Sequence, residues 1–443
     1  MNEENWHEAR LIPISGIRGA EEQERRGTSA LLAVLTAVHE FERELLKPLG
    51  APAGKVSAYC EVPFQLTDGR KVRVDGAIRI VRGKKTWTLL VEVKTGKAEL
   101  TQEQVEAYLD VVKQEGFDGL LTISNQLVSV YGQHPIDVDG RRYRSVALHH
   151  LSWARILATA LRVDDHIGVE DSDQEWVLRE LIRYLQYEGS GARTFDDMGP
   201  DWTPLRTALR EGTLRRGDAA AESVAVRWEQ LLQHISLSLA ARLGGDVHPV
   251  LTRKETKDPT IRTNALAKEL TDSGTLSGSI SIPNAVAPVS IHADLDSMVA
   301  SASVTVDAPD LARGTARLNW LLRQLRTAPD SLRIDVAFEW VKYTSSDLLE
   351  VVRSDPKVVL AGTDRPPRSF TVVQTGKVGA KRRSGSGNFV YDIEKLVDEF
   401  YREVVQGLKA WTPPAPKLAV EKPEPAGVPA VSEPETDALV AGS

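Results

Sequence analysis

A single cysteine, Cys60, stands among 443 residues. That excludes an intramolecular disulfide and any zinc site built from several cysteines, and it fits a reducing compartment. An excess of basic charge is missing as well. Lys and Arg number 55 against 62 Asp and Glu, a net charge of −7, so the chain has no general phosphate-binding coat, although a local basic channel stays open. Long apolar runs are also lacking. The longest near the N-terminus spans residues 30–35 and continues past Thr36 through Ala37 and Val38, far short of the roughly 20 residues a membrane span needs. The first twenty residues carry Glu3, Glu4, Glu8 and Arg10 and no apolar h-region. A cytoplasmic protein with no membrane partner is the expectation.

What remains is ordinary globular material, 42% hydrophobic and 26% charged, in a chain long enough for about three domains. Residues 412–443 hold seven prolines, and their five acids against two lysines leave −3. Such a segment buries too little apolar surface to offset its ordering entropy, and a disordered acidic Pro/Ala-rich tail is expected. Residues 1–165 read as helix, strands, helix, strand, helix. One long helix is expected over 21–47, strands over 55–66, 71–81 and 86–94, a helix over 101–114, a short strand over 119–124 and a helix over 151–161. This order predicts a mixed sheet flanked by helices. Residues 166–245 read as a helical module, with helices at 174–187 and 221–243 separated by Gly189-Ser190-Gly191. Residues 246–411 read as an α+β domain. Strands are expected over 277–282, 288–293, 301–307 and 332–340, helices over 309–327 and 391–408. The fold class is thus multidomain α/β and α+β.

The chemistry concentrates in Val-Asp75-Gly-Ala-Ile, Val-Glu92-Val-Lys94 and Gln104-Val-Glu-Ala-Tyr108. Alternation along a strand puts Glu92 and Lys94 on one face and Val91 and Val93 on the other. If Gly83-Lys84 forms a two-residue hairpin loop with glycine first, opposed residues have numbers summing to 167. Asp75 then lies opposite Glu92, with Cβ atoms about 5 Å apart. Two bare acids so placed need a proton or a cation between them, and Mg²⁺ or Mn²⁺ suits oxygen ligands. Lys94 beside such an ion is suited to orient an attacking water and to stabilise charge on a phosphate.

Asp75, the Glu92-Val-Lys94 triplet and the Gln104-xxx-Tyr108 helix resemble the PD-(D/E)XK nuclease superfamily in its RecB-like form, over roughly residues 20–160. The resemblance implies a restriction-endonuclease-like fold and Mg²⁺- or Mn²⁺-dependent hydrolysis of DNA. Asp75 and Glu92 become metal ligands, the Val93 carbonyl a further one and Lys94 the catalytic lysine. Gln104 and Tyr108 would support the metal site or the nucleic-acid strand. The family often adds an acid from the first helix, here Glu24, with Glu40 and Glu44 further along. Val74 stands where the family motif has proline. A bacterial restriction, repair or antiphage role follows from the resemblance.

Plainer readings stand beside these. Asp75, Glu92 and Lys94 also read as a structural salt-bridge cluster. Thr101-Gln-Glu-Gln104 reads as a capping box in which Gln104 reaches back to the helix start. Glu24 lies in an acidic helix start that favours the helix dipole. His149-His150 is expected to be structural, at a strand-to-helix corner. Lys381, Arg382 and Arg383 lie in a basic loop suited to gripping phosphates or to plain solvation. Residues 1–160 hold 21 basic and 21 acidic residues, which leaves room for a catalytically silent nuclease-fold protein that binds nucleic acid, senses or scaffolds. The C-terminal domain is the expected place for any homo-oligomer contact.

Overall fold

A computed structural model describes residues 10–13, 17, 19–128, 130, 132–140, 143–192, 195–379, 388–413 and 415. Among the described residues the chain is mixed α/β, with twelve α-helices and two sheets.

The N-terminal part begins with α1 (Ala20–Ala37) and α2 (His39–Leu46). The sequence pattern predicts one helix here, but Val38 is extended at φ −114° and ψ 102° and breaks it. The turn buries Val38 itself and sets Phe41, Leu45 and Leu46 against the same core as Leu31 and Leu35. Then come β1 (Lys55–Gln65), β2 (Lys71–Arg82), β3 (Lys85–Val93), α3 (Gln102–Glu115), β4 (Gly119–Ser124), β5 (Ala147–Ser152), α4 (Trp153–Arg162) and α5 (Ser172–Gln186). The five strands pair in chain order. The first three are antiparallel, and β3-β4 and β4-β5 are parallel. A parallel pair needs a crossover, and α3 supplies it between β3 and β4. Strand β5, which the sequence reading does not place, lies directly before α4.

The sheet is covered on both faces. Ile78, Ile80, Val91, Val93 and Ile123 pack with α1, α2, α4 and α5. Ala77, Leu90 and Leu120 pack with Val105, Tyr108, Leu109 and Val112 of α3. Asp75 and Glu92 share their strand faces with Ala77 and Leu90, so the site opens toward α3.

The rest comprises α6 (Trp202–Arg210), α7 (Ala219–Leu243), β6 (His248–Pro249), α8 (Arg253–Lys257), α9 (Thr260–Ser273), β7 (Thr275–Ser281), β8 (Val289–Asp294), β9 (Val299–Asp307), α10 (Gly314–Gln324), β10 (Arg333–Phe338), β11 (Thr344–Leu348), α11 (Leu349–Ser354), β12 (Pro367–Lys377) and α12 (Phe389–Glu403). Seven strands form an antiparallel sheet in the order β11-β10-β12-β9-β8-β7-β6. Its inner face packs on α7, α9, α10 and α12 in one core centred on Trp228, Leu232, Phe370 and Phe400.

Among the described residues of 166–245, expected as a helical module, the buried side chains fall into two cores. Leu178, Leu181 and Leu185 of α5 are buried with the first sheet, while Leu205 of α6 and Trp228 of α7 belong to the second. The helix expected over 309–327 is shorter, because Arg313 is its extended N-cap. The expected disordered tail, beyond residues 412, 413 and 415, lies outside the described residues, as do Lys381, Arg382 and Arg383. No helix among the described residues is long and apolar enough to cross a membrane.

Candidate active site

The hairpin between β2 and β3 brings the acids together. Arg82 pairs with Lys85, Ala77 with Leu90 and Gly76 with Val91, the expected register. Gly83 opens the turn at φ +60°, a conformation glycine adopts without steric cost. The β1–β2 ladder omits the Glu61–Asp75 position. Glu61 there has φ +52°, a strained value for a side chain of its kind. Released from regular pairing, Asp75 turns its carboxylate to the partner strand, where Oδ2 accepts the Val93 N–H at 2.8 Å. Asp75 is close enough to act on the Glu92 carboxyl, which its charge and its side chain both raise.

Glu92 is 1% exposed. Its Oε1 accepts from Lys94 Nζ and from Gln104 Nε2, each at 2.7 Å. Its Oε2 is buried and has no hydrogen-bond donor among the described residues. Burial, and next the neighbouring Asp75 charge, push the Glu92 carboxyl up to about 8 against the partial relief Lys94 provides. Burial pulls the Lys94 ammonium down, but Glu92, Glu24 and Asp75 outweigh it and hold the group above its ordinary value. Glu24 of α1 lies 3.8 Å from Lys94 Nζ, its carboxyl raised chiefly by burial and lowered in part by Lys94.

On the facing helix, Thr101 caps α3 by accepting from the Gln104 N–H at 3.3 Å. The Gln104 side chain does not reach back to complete a capping box. Its Nε2 donates to Glu92 and to the Tyr108 hydroxyl at 3.0 Å, so residues one turn apart on α3 meet at the acid. Burial, and next the Glu92 charge, raise the Tyr108 phenol well above its ordinary value.

Residues that the sequence reading leaves without a role hold this arrangement. The Lys94 N–H donates to the Ile123 carbonyl at 2.7 Å, and the Lys94 carbonyl accepts from the Trp153 indole at 2.9 Å. Asn125 Nδ2 bridges the Gly96 and Gly191 carbonyls at 3.0 and 2.8 Å. A Cβ on Gly76 would meet Leu32 Cδ1 at 2.6 Å, and this lack of a side chain lets α1, the bearer of Glu24, lie close to the strand of Asp75. Gly191, within the glycine break, has φ +79°, and a Cβ there would sit 2.8 Å from Gln23 Oε1 and 2.9 Å from Thr95 Cβ. We expect Gly191→Ala to cost about 2 kcal/mol or more through strain and crowding together, read as a lower thermal melting point. An unchanged or higher melting point would show that the close packing of Gly191 against Gln23 and Thr95 does not restrain the turn after β3.

The remaining candidates fall elsewhere. Glu44 pairs with Arg162, and Glu40 accepts from the Glu170 N–H at 3.3 Å; neither joins the site. The His150 ring meets Thr122 Oγ1 at 3.0 Å and the Gln126 carbonyl at 2.9 Å, and burial lowers it to about 4, which is structural bonding at the strand-to-helix corner. Burial also lowers His149. At Val93 the group tied to the site is the N–H, donated to Asp75.

Among the described residues no group of three or more His, Cys, Asp and Glu side chains is arranged to hold a metal ion. Two converging carboxylates, one with an orphaned buried oxygen, nevertheless match the donor chemistry of a hard divalent cation, which commonly completes its shell with water and substrate oxygens. No family model matches the chain, and no curated protein matches it.

Proposed function

We propose that the chain is a nuclease of the PD-(D/E)XK type that hydrolyses DNA phosphodiester bonds with Mg²⁺ or Mn²⁺. The observation that carries this reading is the buried Glu92 carboxyl, with one oxygen held by Lys94 and Gln104, the other unpartnered, and Asp75 acting on it. A purely structural ion cluster has no use for a second acid acting on a buried carboxyl that keeps one oxygen unpartnered. The order of five strands, with a Gln/Tyr-bearing helix directly after the Glu-Val-Lys strand, supports a restriction-endonuclease-like arrangement of this part.

Asp75 and Glu92 would hold the cation, and Glu24 stands behind Lys94. A bound divalent cation supplies Lewis acidity and an acidified water near neutral pH. Lys94 places a positive charge beside the acids, where it favours the negative charge developing on a phosphate. Gln104 fixes the Glu92 carboxylate through one N–H, and Trp153 and Ile123 pin the Lys94 backbone. In the net reaction water adds to phosphorus, one P–O ester bond breaks, and the departing oxygen gains a proton.

A second reading rests on the Lys94–Glu92 contact, which gives Glu92 a counter-charge within the chain itself. On that reading the domain binds or scaffolds without cutting. Plasmid and single-stranded DNA incubated with the full chain and Mg²⁺, Mn²⁺ or EDTA separate the two. The nuclease reading expects cleavage with either cation and none with EDTA. Absence of cleavage on every DNA substrate, together with no calorimetric Mn²⁺ binding, favours the second.

A further inference from the structure

A cavity of about 470 Å³ lies between the two halves of the chain, within the size range of small-molecule sites. Its apolar wall comes from Trp153 and Leu157 of α4, Leu185 of α5, Leu237 of α7 and Val390 of α12. One end is polar. His234 Nε2 lies 2.8 Å from Glu394 Oε1. The other ring nitrogen, Nδ1, is buried out of solvent's reach, so the polar groups this end offers a ligand are the carboxylates of Asp196 and Glu394. The charge balance also selects. Arg242, the basic residue of the lining, is engaged by Asp398, while Asp196 and Glu394 leave this end acidic. A phosphate or carboxylate is thereby disfavoured, and a neutral or cationic ligand fits.

Trp153 joins this cavity to the acidic site. It lines the cavity, its indole N–H holds the Lys94 carbonyl, and its ring edge lies where a Cβ on Gly27 of α1 would come within 3.3 Å. A ligand against this wall therefore bears on the residue that fixes the end of β3.

We propose that the cavity binds a small, flat, largely apolar molecule that carries no negative charge, best a cation, and that its occupancy steadies the Lys94 end of β3 through Trp153. The binding and the steadying stand apart from the nuclease reading; any effect on cutting rests on it.

Indole, tryptamine and indole-3-acetate share one ring and differ in charge, so calorimetry of the full chain with each tests the site. Tryptamine is expected to bind most tightly, with Kd about 1 mM or below, and indole-3-acetate about tenfold or more weakly. Ala158→Trp, which fills the cavity, abolishes the binding, and Leu157→Trp replaces it should that variant not fold. Hydrogen exchange in residues 90–100 slows with saturating tryptamine in the unaltered chain. In Trp153→Phe, which keeps the apolar wall, tryptamine still binds and the slowing disappears. No binding of tryptamine or indole, binding that survives a filling variant, or indole-3-acetate bound as tightly as tryptamine overturns the site. Unchanged exchange over 90–100 overturns the link. Neither readout uses cleavage, so an inactive protein that passes both loses the nuclease reading and keeps this one.

Discussion

On the proposed nuclease reading, Asp75→Asn is expected to fold and to lose metal-dependent DNA cleavage. Its amide oxygen still accepts the Val93 N–H that Oδ2 accepts at 2.8 Å, so the strand contact survives while one of two acidic donors disappears. Loss of an anionic ligand next to a buried carboxylate weakens cation binding, and the rate is expected to fall at least about 10²-fold, the scale on which removing one electrostatic partner of a transition state acts. Lys94→Met gives a drop of the same order for the opposite reason. It leaves both acids and removes the ammonium 2.7 Å from Glu92, so Mn²⁺ still binds and chemistry slows. Calorimetry with Mn²⁺ beside single-turnover cleavage separates the two variants. Cleavage unchanged in both would sink the assignment of this site. Equal loss of Mn²⁺ binding in both would move Lys94 from chemistry to site assembly.

How much of this the residues disclose on their own depends on the range of the interaction. The hairpin was legible because a glycine-first two-residue loop fixes register locally, and that register carries Asp75 to Glu92. Gln104 was half legible. Spacing places it one turn from Tyr108, but local capping competes for the same side chain, and only the position of β3 under α3 sends it to Glu92. The break at Val38 was hidden because the apolar spacing runs on without a glycine or proline to mark it. Trp153 and Asn125 were hidden for a different reason: each donates to backbone carbonyls between 29 and 66 positions away, and no sequence periodicity encodes such a distance. The division of residues 166–245 between two cores is likewise set by packing, since amphipathic helices state that they bury a face but not against what.

Glu92→Gln is expected to make the metal-free protein more stable at pH 8 and to leave it unable to cut. The Glu92 carboxyl moves from its ordinary 4.5 to about 8 in the folded protein, by burial first and Asp75 second. A folded-state value above the unfolded one means that the folded chain binds the proton more tightly. Below pH 4.5 both states are protonated and Glu92 exacts nothing. Between 4.5 and 8 the unfolded state gives up its proton while the folded state keeps it, so stability falls with rising pH across that window and levels off above it. The loss is on the order of a few kcal/mol. Glutamine cannot ionise, and its Oε1 remains an acceptor for Lys94 and Gln104, so the variant escapes the loss. Its melting point at pH 8 should exceed that of the unaltered chain by roughly 5 °C or more, with little difference at pH 4.5. Mg²⁺ should narrow the gap by stabilising the unaltered chain alone, because a cation bound between Asp75 and Glu92 takes over the neutralising role of the proton. Scanning calorimetry at the two pH values, with and without Mg²⁺, checks all of this. A variant that melts lower at both pH values would mean that Glu92 is a stabilising partner of Lys94 rather than an acid held at a cost for a cation.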